Sequence, residues 1–154
     1  MEISSLSTMI HKKFNQELHN KYDENAREAT KKYIKANGHQ AIDNPDIYGP
    51  DLIVEDLCYL ECEVKTTWHQ DHYPYKYVRI PYRKKKFTTL DLPIVFYIWN
   101  NRYTSGLRIR GTRFCLAEVK EFKNSKVPEG EYFFWFEAKT LDTVTVNEQI
   151  RNNI

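Results

Sequence analysis

Apolar and charged positions alternate through Tyr59-Leu60-Glu61-Cys62-Glu63-Val64-Lys65, the period of an extended strand with one face toward a core. Leu60, Cys62 and Val64 share one face; Glu61, Glu63 and Lys65 share the other. Leu52 and Val54, just after Tyr48-Gly49-Pro50-Asp51, form the matching apolar pair. The two runs therefore predict a hairpin that turns around Glu55-Asp56-Leu57. Asp51 joins the charged face only if the register pairs residues of equal parity, which needs an odd-length loop or a bulge. With that register, Asp51, Glu63 and Lys65 converge: two carboxylates and an ammonium group.

The rest of the chain supplies a frame for this ribbon. Residues 4–37 have helical spacing: Ile10, Phe14, Leu18 and Tyr22 recur every four positions. Ala26, Ala29, Tyr33 and Ile34 mark an inner face, and Asn37-Gly38 is a stop. Asp23 is placed to cap a second helix, so one helix or two is left open. His39-Gln40-Ala41-Ile42 predicts a first strand. Residues 66–78 mix aromatic and polar side chains around Pro74 and read as a loop. Pro81 suits the first residue of a helix running to about Leu90. Leu92 to Trp99 is almost wholly apolar, as expected of a central strand buried on both faces. Asn100-Asn101 and Ser105-Gly106 mark a turn, and Leu107 to Ala117 predicts a further strand with Arg108, Arg110 and Arg113 on its outer side. Residues 118–126 read as loop or short helix and Pro128-Glu129-Gly130 as a turn. Tyr132 to Phe136 predicts a strand in the core or at a subunit contact, Thr143 to Val146 a last short strand, and the polar tail from Asn147 a frayed end.

The composition fits one domain spanning residues 1–154. At 154 residues with 41% apolar side chains, 11 Tyr and 8 Phe, the chain can bury a proper core. No apolar run has the length of a membrane span and the N-terminus lacks a signal-peptide core, so a cytoplasmic setting is expected. Cys58, Cys62 and Cys115 are odd in number and lack metal-type spacing, which predicts reduced structural thiols. His69-Gln70-Asp71-His72 is an isolated HxxH outside a helix and a poor zinc signal. Abundant Lys, Asn, Ile and Tyr suit an AT-rich genome such as a phage's. The net charge of +2 says little about partners; its distribution says more.

Paired carboxylates repel, and one tends to hold a proton unless a cation separates them. Mg²⁺ prefers such oxygen ligands, polarises phosphoryl oxygens and activates a bound water. An adjacent lysine stabilises the developing charge. The pattern Pro50-Asp51 followed by Glu63-Val64-Lys65 resembles the PD-(D/E)xK nuclease superfamily, the restriction-endonuclease-like fold. The resemblance implies an α/β domain, a central mixed β-sheet flanked by helices in the order α-β-β-β-α-β. It implies Asp51 and Glu63 as ligands of Mg²⁺ (or Mn²⁺), the Val64 carbonyl as a further ligand, and Lys65 as the catalytic lysine. In such proteins a glutamate of the preceding helix often reaches the metal. Glu28 is the first choice and Glu24 the second; the alternative for either is an exposed acid paired with Lys31 or Lys32. A clear Gly-x-x-Glu opening to the helix is missing.

Arg79, Arg83, Lys84, Lys85 and Lys86 put five cations within eight residues, with Tyr82 among them. Such a run neutralises phosphates and holds DNA in place without reading bases. The arginines at 108, 110 and 113 are a second candidate. The expected activity is metal-dependent hydrolysis of DNA phosphodiesters, with a small chain of this kind suited to junction resolution or repair. The alternative is a catalytically inactive module on the same fold that binds nucleic acid or protein. A homodimer would suit an enzyme that cuts both strands.

Overall fold

The computed structural model describes residues 2–123 and 129–146, with side chains from residue 17 onward. Its first element is one unbroken helix, α1 (Glu2–Ala36), so Asp23 lies mid-helix and caps nothing. The helix stops where Asn37-Gly38 predicts. Gly38 takes φ +89°, its N–H donates to the Lys35 carbonyl and the His39 N–H donates to the Ile34 carbonyl. Both bonds close carbonyls that the helix end leaves open.

The strands are β1 (Ile42–Asp43), β2 (Leu52–Val54), β3 (Cys58–Val64), β4 (Tyr77–Pro81), β5 (Ile94–Trp99), β6 (Ser105–Arg110), β7 (Glu118–Phe122), β8 (Glu131–Glu137) and β9 (Asp142–Thr145). They form a mixed six-stranded sheet in the order β1-β2-β3-β5-β6-β9 and an antiparallel three-stranded sheet in the order β4-β8-β7. Among the described residues only β3 and β5 run parallel. The class is mixed α/β with a central many-stranded sheet. One face of that sheet carries α1. The other is covered by the small sheet and short 3₁₀ segments rather than by a second α-helix.

Alternation along β5 explains the layering. Ile94, Phe96 and Ile98 pack with Val78, Ile80, Phe134 and Phe136 between the sheets. Tyr97 and Trp99 point the other way, to Ala26 and Ala29 of α1. The alanines let the helix approach closely. Trp99 Nε1 donates to Thr30 Oγ1 (2.9 Å), and that hydroxyl donates to the Ala26 carbonyl (2.8 Å). Thr30→Val orphans a fully buried indole N–H and is expected to cost about 1–3 kcal/mol, seen as a thermal midpoint lower by several degrees. The double variant with Trp99→Phe should lose less than the sum of the two single losses, because it removes the stranded donor as well.

Several boundaries differ from the sequence reading. The first strand is only Ile42–Asp43. Ser105 and Gly106 begin β6 instead of lying in a turn: a Cβ on Gly106 would stand 3.1 Å from the Ile98 carbonyl oxygen, close cross-strand packing that favours glycine. Residues 111–116 leave the sheet as a 3₁₀ segment that drives Phe114 into the core. Residues 118–122 form β7, not a loop; their polar side chains suit an edge strand whose backbone pairs with β8. The basic run follows β4 in a 3₁₀ helix, Tyr82–Thr89. Among the described residues no helix is long and apolar enough to cross a membrane. The tail from Asn147 lies outside the described residues, as do 124–128, which include part of the expected 128–130 turn.

Candidate active site

Three residues, 55–57, join β2 to β3, and Leu57 N–H closes the turn on the Val54 carbonyl at 3.0 Å. Asp56 adopts φ 62°, the left-handed conformation that such a short loop needs and aspartate tolerates. The odd loop pairs Leu52 with Leu60 and Val54 with Cys58. Equal parities therefore face each other, and Asp51 falls on the charged face.

Extending that register sets Asp51 opposite Glu61, two residues short of Glu63. Side chains and backbone interlock there: Asp51 N–H donates to Glu61 Oε1 (3.2 Å), and Cys62 N–H donates to Asp51 Oδ2 (2.9 Å). Lys84 closes the cluster, its Nζ 2.6 Å from Glu61 Oε2. Burial and the neighbouring Asp51 charge push Glu61 up to about 7 despite Lys84. Burial also raises Asp51, against the Cys62 N–H and the Lys84 charge, which lower it. Glu63 is exposed at the end of β3, with its carboxyl partly desolvated by the protein around it. This desolvation pushes its pKa up against the opposing charges of Lys65 and Lys84.

Asp51, Glu61, Glu63, Lys65 and Lys84 line one open cleft of about 910 Å³. Lys65 Nζ sits 5.4 Å from the centre of the Tyr75 ring. Asp51, Glu63 and Lys65 thus share one side of the ribbon and one cavity, although the carboxylate held against Asp51 is Glu61. The alternation already put Glu61 on this face. Its pairing could have been found by counting across the three-residue loop.

The helix acids fall differently from expectation. Glu28 is exposed and pairs with Lys31 (3.4 Å), whose ammonium also holds Asp43 of β1 at 3.0 Å. Glu24 is exposed, and neither glutamate lines the cleft; Asp23 does. The reason is helical phase. Asp23 continues the stripe of Ala26 and Thr30 that faces the sheet, whereas 24 and 28 lie on another side of the helix.

The basic residues also divide. Arg79, Arg83 and Lys84 line the cleft, while Lys85, Lys86 and Tyr82 do not. Lys85 donates to the Tyr82 hydroxyl (3.2 Å), and Tyr82 stacks on Phe134 with ring centres 5.2 Å apart. Lys86 lies over the Phe87 ring at 5.2 Å. Arg108 pairs with Asp142 and Arg113 donates to the Thr140 carbonyl, both away from the cleft. In the HxxH stretch, His69 meets the Asn101 amide at 2.6 Å, and the His72 carbonyl accepts from Trp68 Nε1. All three cysteines are free thiols.

Chemically, the site offers hard oxygen donors with raised proton affinity, two flanking ammonium groups and room for a polymer backbone. Among the described residues, no three His, Cys, Asp or Glu side chains are gathered tightly enough to hold a metal ion by themselves. No family model matches the chain, and no curated protein is significantly similar to it.

Proposed function

We propose that the protein is a metal-dependent DNA nuclease with a site of the PD-(D/E)xK kind, acting on branched or partly unpaired DNA. One observation carries the reading: Asp51, Glu63 and Lys65 line one open cleft on the same side of a hairpin, with Arg79 and Arg83 on its walls. DNA is preferred to RNA because the superfamily it resembles acts mainly on DNA.

The donor set fits a hard divalent cation in type. Asp51, Glu61 and Glu63 are carboxylates whose pKa values are all raised, and crowded negative charge of this sort is what Mg²⁺ or Mn²⁺ relieves. Asp51 and Glu63, with the Val64 carbonyl, are the residues that would hold it; Glu61 is a third candidate in place of Glu28 or Glu24. When bound, such an ion polarises the phosphoryl oxygen and lowers the pKa of a coordinated water. The chain's own contribution is electrostatic. Lys65 extends from the strand that carries Glu63, where its ammonium stabilises charge building on the phosphoryl oxygens. Lys84 offsets the Glu61 charge, so a phosphate approaching the cluster meets less repulsion. Arg79 and Arg83 hold the flanking phosphates.

A second reading is favoured by a specific feature: Lys84 already neutralises Glu61, and no three-acid cluster forms among the described residues. On that reading the domain binds nucleic acid or protein without cutting. The purified protein, incubated with supercoiled, linear, branched and single-stranded DNA in Mg²⁺, Mn²⁺ or EDTA, separates the two. Cleavage in metal and none in EDTA, strongest on branched DNA, is the expected result. Salt-sensitive binding with every substrate intact would establish the module instead.

A further inference from the structure

Beyond the acids the cleft wall is aromatic, and hydrolysis gives these rings no role. The Tyr75 ring under Lys65 is fixed by its hydroxyl, 2.8 Å from Thr67 Oγ1, and meets Tyr73 edge-on with centres 5.5 Å apart. Tyr77 meets Trp135 in the same way at 5.5 Å. The Arg79 guanidinium carbon lies 3.8 Å over the Phe122 ring and 5.4 Å from Trp135.

Core packing does not call for this surface. Val78, Ile80, Phe134 and Phe136 already fill the inner face of the small sheet. Arg79, Phe133 and Trp135 alternate with them and project from the outer face, where the three side chains are only half-buried. The charge distribution points to a ligand. The cleft's acids, Asp23, Asp51, Glu61 and Glu63, come from α1 and the hairpin, and the charged residues that β4 and its flanking residues bring to the lining are Lys76, Arg79, Arg83 and Lys84. Arg83 is held by Glu131 (3.7 Å), but Lys76 and Arg79 form no ion pair among the described residues. Arg79 is held flat by rings, which leaves its N–H donors free for phosphate.

A duplex presents phosphates outward and hides the faces of its bases. A single strand presents both, and base faces stack on aromatic side chains whatever the sequence. We propose that this wall is a stacking platform for the unpaired nucleotides of a single-stranded DNA segment, such as a flap, overhang or opened junction arm, that leads to the acid cluster. The proposal rests on the nuclease reading for the direction of the strand, and its binding component stands apart from cleavage.

The test is binding in EDTA, where no metal-dependent cleavage occurs. Labelled oligothymidine and a flapped duplex are titrated against a blunt duplex by fluorescence anisotropy. The single strand and the flap are expected to bind more tightly than the blunt duplex. Trp135→Ala should weaken single-strand binding about tenfold and leave duplex binding within about twofold. Because Trp68 and Trp99 are fully buried, oligothymidine should quench mainly Trp135 emission. Trp135→Phe keeps a stacking ring; it should bind normally but lose most of the quench, which separates lost stacking from a misfolded alanine variant. Equal affinity for single strand and duplex, an unaffected Trp135→Ala variant, or wild-type emission unchanged on binding would each overturn the platform. Stacking of single strands by a protein that never cuts DNA would overturn the nuclease reading alone. Cleavage of every substrate with no Trp135 dependence would overturn the platform alone.

Discussion

Asp51→Asn is expected to abolish the proposed metal-dependent DNA cleavage, with a loss of about 10³-fold or more, while DNA binding in EDTA stays within about twofold. The expectation follows from what Asp51 touches. Its Oδ2 accepts the Cys62 N–H and so helps hold the hairpin in register. Asparagine keeps a carbonyl oxygen for that bond, so the ribbon stays folded and only the negative charge is lost. A hard cation held by carboxylates then loses much of its attraction, and the activation it provides goes with it. Lys65→Ala provides the partner experiment. Lys65 makes a ring contact with Tyr75 and no ion pair among the described residues, so its removal should shift the melting temperature little. Loss of its charge from the transition state should lower the cleavage rate about 10²- to 10³-fold. Cleavage that persists at near wild-type rates in either variant would rule out this site as the seat of hydrolysis. Circular dichroism of both variants controls for unfolding.

Glu61→Gln raises the melting temperature at pH 8 by several degrees, and the gain fades toward pH 4. The folded protein holds Glu61 at about 7, through burial and the neighbouring Asp51 charge, against an ordinary value of 4.5. A raised carboxyl binds its proton more tightly when folded. Between about 4.5 and 7 the folded state keeps a proton that the unfolded state has released, so stability falls as the pH rises through that window. Above 7 the full cost is present, about 3 kcal/mol, because Glu61 is only 7% exposed and water screens it poorly. Glutamine mimics the protonated form at every pH, so it should resemble the wild type in acid and exceed it in base. Its amide still offers an oxygen to the Asp51 N–H, and Lys84, which is partly exposed, can turn to water. A variant melting at or below the wild-type temperature at pH 8 would mean that the Lys84 ion pair outweighs the burial cost.

The two experiments examine different sources of the same site. That Asp51, Glu63 and Lys65 share a side of the ribbon was legible in the chain because strand alternation is local: side chains two apart share a face, and the three-residue loop sets the parity between the arms. The helix stop at Asn37-Gly38 and the buried strand ending at Trp99 were legible for the same kind of reason, since the signal lies within a few residues of the element. Glu28 and Glu24 were chosen as glutamates of the preceding helix, and residue type does not say which side of a helix meets the sheet; neither lines the cleft. The side of α1 that faces the sheet is selected by Ala26, Ala29 and Thr30. That selection carries Asp23 into the cleft and turns Glu28 toward Lys31 and solvent.

Strand β7 was missed because an edge strand need not alternate apolar and polar residues; its stability comes from backbone pairing with β8, more than ten residues away at its start. The Lys84–Glu61 pair joins residues 23 apart, and no local pattern distinguishes Lys84 from its neighbours Lys85 and Lys86. Sequence alone determined which side chains share a face of the ribbon and where the long helix and the central strand end, because those features follow from short-range backbone geometry. Tertiary structure alone decided that Lys84 neutralises Glu61 and that the outer rings of the small sheet open onto the acids. Each of those depends on how separately formed elements dock, which is settled by burial and charge across distances that the order of residues does not encode.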